Sequence, residues 1–142
     1  MTLIEFTVPG DPVGQGRPRF SRHGRYVQTY DPPKSRQYKA LVTKKLQQVY
    51  ADKPMTCPVK ITVKAYFSVP KSYSKHVMHD CLSGVQKPDK KPDADNIIKG
   101  IMDAMNGIAY EDDKQVVSMH VYKTYAPVGC VKVTIEEIEI AN

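Results

Sequence analysis

The chain has no tryptophan, and that absence excludes nothing about its function. Other absences exclude more. No run of apolar residues approaches the roughly 20 that a bilayer-spanning helix needs, so no membrane partner is expected and the protein reads as soluble. The N-terminus opens on Leu3-Ile4-Glu5-Phe6-Thr7-Val8, a strand-like alternation, where a secretory signal would show a basic start and an apolar core. Cysteine is scarce: Cys57, Cys81 and Cys130 are odd in number and far apart. That argues against a disulfide framework and for reduced thiols in a cytoplasmic protein. Repeats and low-complexity segments are missing too, so residues 1–142 read as one domain, large enough to bury a core.

Acidic residues are thin over the first two-thirds and dense afterwards. Residues 1–56 carry 10 Lys/Arg against 4 Asp/Glu, residues 57–91 carry 7 against 2, and residues 92–142 carry 4 against 9. The basic part suggests a polyanionic partner. The acidic part is no tail, because its aspartates alternate with apolar residues. A polyanion-binding chain that gathers carboxylates needs a reason, and a divalent cation bridging carboxylate to phosphate supplies one.

Periodicity predicts the elements. Residues 3–8 form a strand ended by Pro9-Gly10-Asp11-Pro12. The Arg-, Gly- and Tyr-rich stretch at 14–33 suggests an irregular hairpin turning at Gly24. Tyr38, Leu41, Val42, Leu46 and Val49 recur at helical spacing after Pro33. Strict alternation from Val59 to Phe67 predicts a strand. Residues 68–92 form a long polar connection with a short helix near 72–82. A second main helix runs from Asp95 to Asn106, with Ile97, Ile98, Ile101, Met102 and Met105 inward and Gly107 as its stop. Strands follow at 116–125 and 131–140, the last changing phase at Glu136-Glu137, where a bulge is expected. The fold class is α+β: a mixed sheet with two main helices packed on it in one compact domain.

The chemistry concentrates in Lys91-Pro92-Asp93-Ala94-Asp95-Asn96-Ile97-Ile98-Lys99, then Asp103, then Glu111-Asp112-Asp113. Asp95, Lys99 and Asp103 follow at intervals of four and share one helix face, opposite the Ile/Met stripe. A turn after the helix lets Asp112 and Asp113 approach Asp93 and Asp95. Such hard oxygen ligands suit Mg²⁺, which keeps several waters and binds phosphate. The corresponding reaction is in-line attack of metal-activated water on a phosphodiester, with Lys99 orienting the nucleophile or stabilising phosphoryl charge. The same residues also admit a plain structural reading. Asp93 and Asp95 then cap the helix, Asp95–Lys99–Asp103 forms a surface ladder, and Asp112-Asp113 makes a turn.

Residues 87–121 go further. The Lys-Pro-Asp-Ala-Asp-Asn start, Lys99, the Asp103-Ala104-Met105-Asn106-Gly107 helix end and the Asp112-Asp113-Lys114-Gln115-Val116-Val117 entry into a strand resemble the signature of RusA-type Holliday-junction resolvases. The resemblance implies a homodimeric, Mg²⁺-dependent endonuclease, with Mn²⁺ as a substitute, that nicks opposed strands of four-way junctions. It implies metal-binding roles for Asp93, Asp95 and Asp113, with Asp112 a further candidate, and a catalytic role for Lys99. Lys87-Pro88-Asp89 repeats the motif in part but lacks its second Asp, which makes Asp89 a decoy.

Arg17, Arg19, Arg22 and Arg25, interleaved with Phe20, Tyr26 and Tyr30, are candidates for DNA contact, as are Lys71, Lys75, Lys90 and Lys91 beside the aspartates. A solvated basic hairpin is the bland alternative. His76, His79 and Cys81 have superficial ligand spacing, but nothing completes a tetrahedral Zn²⁺ set. Three competing functions remain at this level: a nuclease of other branched or flapped DNA, a non-catalytic nucleic-acid-binding module, and a metal-dependent phosphohydrolase of small substrates. The last would not need so broad a basic surface.

Overall fold

The computed structural model describes residues 2–16, 19–30 and 32–138, with much of the 19–30 hairpin described by its backbone only. The order is β1 (Leu3–Pro9), β2 (Arg19–His23), β3 (Tyr26–Tyr30), α1 (Pro33–Val49), β4 (Val59–Ser68), α2 (Lys75–Leu82), α3 (Ala94–Met105), β5 (Val116–Ala126) and β6 (Cys130–Glu137). A single 3₁₀ turn, Asp113–Gln115, precedes β5. The α+β expectation holds, with the third, shorter helix where the connection after β4 suggested one. Among the described residues, no helix is long and apolar enough to cross a membrane.

Four strands form one sheet in the order β1-β6-β4-β5, and β2 and β3 form a separate two-stranded sheet. β6 runs antiparallel to both β1 and β4, whereas β4 and β5 are parallel. A parallel pair needs a long crossover, and here it holds α2, α3 and the 3₁₀ turn. The expected bulge at Glu136-Glu137 is not there. The β4–β6 register runs unbroken through Glu136 and Glu137. The change of phase coincides with the end of the strand, and the backbone bonds of Glu137 to Thr2 and of Ile138 to Pro58 continue past it without an inserted residue. The register shift lies instead in the β4–β5 pair, where Val59 faces Val116 and Lys60 faces Ser118.

One sheet face supplies the core. On β4, Val59, Ile61, Val63, Ala65 and Phe67 are buried, and Val131, Val133 and Ile135 of β6 join them. Against these pack Tyr38, Val42 and Leu46 of α1 and Ile97, Ile101 and Met105 of α3. Two polar contacts tie α3 to α1: Thr43 Oγ1 donates to the Ala104 carbonyl at 3.0 Å, and Lys39 Nζ lies 3.5 Å from Asp103 Oδ2. At the far end of the sheet, Asp11 accepts from the Ser68 N–H at 3.0 Å and its hydroxyl at 2.9 Å. Gly129 packs so closely on Asp11 that a Cβ would fall inside its carboxylate.

Candidate active site

Helix α3 carries the candidate residues, and its sequence explains their placement. Ile97, Ile98, Ile101, Ala104 and Met105 are buried, which turns Asp95, Lys99 and Asp103 outward. Gly107 stops the helix with φ at +80°, a conformation that costs glycine little. Asp93 occupies the N-cap position, yet its side chain makes no capping bond. Neither the Asp93 nor the Asp95 carboxylate has a hydrogen-bond or ion-pair partner among the described residues. The capping alternative therefore loses its support: among the described residues nothing occupies the oxygens of either exposed carboxylate, which lie beside helix N–H groups whose field stabilises negative charge.

The surface ladder fails too. Asp103 pairs with Lys39 of α1, and Lys99 is exposed with no partner among the described residues. Asp103 thus fastens the helix, leaving the Lys99 ammonium one turn beyond Asp95 and free to meet an anion.

Asp112 and Asp113 divide their work. Asp112 caps the 3₁₀ turn, accepting from the Lys114 N–H at 3.0 Å, while its own N–H donates to Gln115 Oε1 at 2.8 Å. Gln115 Nε2 then donates to the Met55 and Cys57 carbonyls at 2.7 and 3.0 Å, which fixes the turn against the start of β4. Asp113 is half-buried and accepts from the Tyr110 hydroxyl at 3.1 Å. That hydroxyl also lies 3.2 Å from the Met102 carbonyl. Burial, with Asp113 alongside, pushes the Tyr110 phenol well above its ordinary range, so it stays a donor.

Met102 lies two turns beyond Asp95, about 10 Å along the axis. Tyr110 thus tethers Asp113 toward the C-terminal half of α3. Among the described residues, no three His, Cys, Asp or Glu side chains stand close enough to hold a metal ion together. That includes Asp93, Asp95 and Asp113, and also His76, His79 and Cys81. His76 instead pairs with Asp80 at 3.5 Å.

The start of α3 opens on a cleft of about 780 Å³. One wall is Lys91, Pro92, Asp93 and Asn96, and the others are the Pro12–Gly16 segment and the start of α1 at Lys34 and Ser35. The sequence reading missed this wall. The Gln15 N–H donates to the Asn96 carbonyl at 3.0 Å, and the Gly16 N–H donates to Ser35 Oγ at 2.8 Å. Gly14 is required here, because a Cβ would sit 2.7 Å from Pro92 Cβ. The spaced glycines of Gly14-Gln15-Gly16 were the available signal. The Lys91-Pro92 peptide is cis.

Of the basic candidates, Arg22, Arg25, Lys71, Lys75, Lys90 and Lys91 are exposed, and Tyr26 projects beside Arg25. Arg17 lies outside the described residues, as does the side chain of Arg19. Lys90 sits over the Tyr125 ring at 5.6 Å and the Phe67 ring at 6.0 Å. Its carbonyl accepts from Lys123 Nζ at 2.6 Å. Lys123, unremarked in the sequence, thus holds the loop that leads into Asp93.

A model of the family described as Endodeoxyribonuclease RusA matches residues 9–136. The chain is also 41% identical over 140 residues to a Bacillus subtilis (strain 168) protein called "Uncharacterized protein YqaN", an alignment covering 97% of this chain and 99% of that one.

Proposed function

Because the chain belongs to the RusA family of endodeoxyribonucleases, we propose that it resolves four-way DNA junctions by paired nicks, using a divalent cation at the start of α3. The observation that carries this reading is the pair of carboxylates, Asp93 and Asp95, which have no partner among the described residues and stand beside a cleft edged by Lys34 and Lys91. Mg²⁺ is commonly held by one or two carboxylates and completes its shell with water and substrate phosphate. Asp93 and Asp95 fit that donor set, and Mn²⁺ would be accepted by the same oxygens. A third-ligand role for Asp113 requires its carboxylate to move toward Asp93 and Asp95, because the three do not stand together in this structure; Tyr110 steadies one of its oxygens meanwhile. The cation would supply Lewis-acid stabilisation of phosphoryl charge and lower the pKa of the attacking water.

The chain's own residues do the rest. Lys99 places a positive charge one turn from Asp95, where it meets the charge that develops on the phosphoryl oxygens. Lys34, Lys90 and Lys91 neutralise neighbouring phosphates, and Arg17, Arg19, Arg22 and Arg25 extend the contact along the hairpin. Lys71 and Lys75 serve the same end from around the start of α2. Residues 1–142 act as one endonuclease domain in the cytoplasm. A homodimer with two-fold symmetry presents two such sites to the two opposed strands of a junction.

The test is a substrate panel with and without Mg²⁺: a synthetic four-way junction, a flap, a linear duplex and a nucleotide. Mg²⁺-dependent paired nicking of the junction is expected, and Asp95→Asn should abolish it while junction binding holds or tightens. Equal cutting of the flap would reassign the substrate to branched DNA at large. Wild-type turnover by Asp95→Asn would remove α3 from the active site.

A further inference from the structure

The sheet face turned away from α1 and α3 carries a charge arrangement that the fold does not need. Lys64 of β4 and Lys132 of β6 are direct register partners in an antiparallel pair, and both are exposed. Like charges placed directly opposite destabilise such a pair. No ion pair reaches either lysine among the described residues, whereas neighbouring Lys60 is matched by Glu136 at 3.8 Å. On the other side of Lys64, its register partner on β5 is Tyr122, which is 55% exposed. Lys132, Lys64 and Tyr122 therefore form a row across three strands, each about 4.8 Å from the next.

Around this row runs an open groove of about 470 Å³ between β4 and β5, lined by Lys60, Lys64, Tyr66, His120, Tyr122 and threonines, with no carboxylate. The Lys132 ammonium lies 5.5 Å from the centre of the Tyr66 ring. An uncompensated lysine pair calls for a polyanion. The exposed Tyr122 ring beside it calls for a flat group that stacks. A single nucleic-acid strand supplies both, since its bases are free of a complementary strand. An acidic peptide offers the charge without the stacking. A second copy of this face about a two-fold axis would bring the lysine-rich rows together.

We propose that this face binds a single-stranded DNA segment, with backbone phosphates at Lys64 and Lys132 and a base stacked on Tyr122. The surface lies on the opposite side of the sheet from α3 and is independent of the cleavage assignment. It would hold a strand that the catalytic side does not.

Binding of fluorescein-labelled oligothymidylate, followed by anisotropy in EDTA, tests the site without any contribution from cleavage. Tyr122→Ala should weaken binding about 5- to 150-fold, the range for loss of one stacked base, and Tyr122→Phe should retain it. Replacing Lys64 and Lys132 together by Ala should lower the slope of log affinity against log salt by about 1.4. Melting temperatures within a few degrees of the wild type, measured on the same preparations, secure the comparison. Wild-type affinity and salt slope in both variants overturn the proposal. So does equal displacement of the oligonucleotide by polyglutamate of matched charge, which would make the face a general anion surface. Self-association of the wild type that Tyr122→Ala abolishes in sedimentation velocity also overturns it, because a second copy would then cover the face.

Discussion

Replacing Tyr110 by Phe separates what holds the fold from what serves the proposed metal site. Tyr110 is wholly buried, and Phe keeps its ring while deleting only the hydroxyl. The Met102 carbonyl already accepts from the Asn106 N–H at 2.9 Å, so it loses only a second partner. The larger loss is the bond to Asp113. A hydrogen bond to a charged group contributes about 1.5–3 kcal/mol. Asp113 is half-buried and water recovers part of this, leaving a net cost of about 1–2 kcal/mol. For a chain of this length that lowers the melting temperature by about 3–7 °C. If Asp113 is a metal ligand, its carboxylate also loses the group that orients it. Such outer-shell losses typically cost 10–100-fold in metal affinity or activity. The Mg²⁺ concentration for half-maximal junction cleavage should therefore rise by about that factor, with saturating Mg²⁺ restoring much of the rate. Single-turnover cleavage across a Mg²⁺ titration reads this out, beside a melt of the same preparation. A lowered melting point with a titration curve superimposed on the wild type would refute the reasoning, making the Tyr110–Asp113 bond purely structural.

Three further outcomes are expected. Lys99→Ala should slow single-turnover cleavage about 10²–10³-fold, yet shift stability by no more than about 0.5 kcal/mol, because Lys99 is exposed and has no partner among the described residues; a normal rate would remove it from the mechanism, and Lys99→Arg should not fully restore the rate. Replacing Arg17 and Arg19 by Ala should flatten the salt dependence of junction binding by up to about 2 in log–log slope, and an unchanged slope would show that they face elsewhere. Stability should hold up to about pH 10 and then fall as pH rises. Burial raises the phenols of Tyr38 and Tyr110, and burial together with the Tyr73 hydroxyl pushes Tyr125 up to about 12. Folded tyrosines therefore keep protons that unfolded ones release, so each raised phenol withdraws stability as the pH climbs through its window. Urea melts of wild type and Tyr110→Phe from pH 9 to 11 should show the variant with the shallower decline; parallel declines would count against it.

Periodicity read the sheet and helices well because each element buries one face only. β4 shows this best: its strict alternation in sequence reappears as alternating burial along the strand. The helix at 94–105 was legible for the same reason, and Gly107 marked its end. The bulge was misplaced because a phase change looks the same whether a strand bends or simply ends. The site was legible as residue types and less so as partnerships. Spacing of four put Lys99 between Asp95 and Asp103, but Lys39, more than 60 residues away, takes Asp103. Likewise the Gly14-Gln15-Gly16 wall, the Lys123 contact to the Lys90 carbonyl and the Tyr110 tether come from chain crossings that local pattern does not encode. Helical spacing tells which side chains can meet on their own element, and the approach of a second element decides which do.

The strand order has a consequence for how this protein comes into being. β6 follows every other strand in the chain, yet it lies between β1 and β4. During synthesis β1 emerges first and waits with both edges open, since its pairing partner, from Cys130 to Glu136, is still unmade. β4 likewise has only β5 to lean on until the final hairpin closes. Pairing of residues so distant in sequence is slow, and unpaired strands are prone to association in the interval. Translation must therefore run nearly to the end of β6 before the sheet can form, and a transcript broken ahead of Cys130 would yield a chain with carboxylates and lysines intact but no frame to aim them. A polypeptide built this way has no closed sheet to carry α3 until β6 is made.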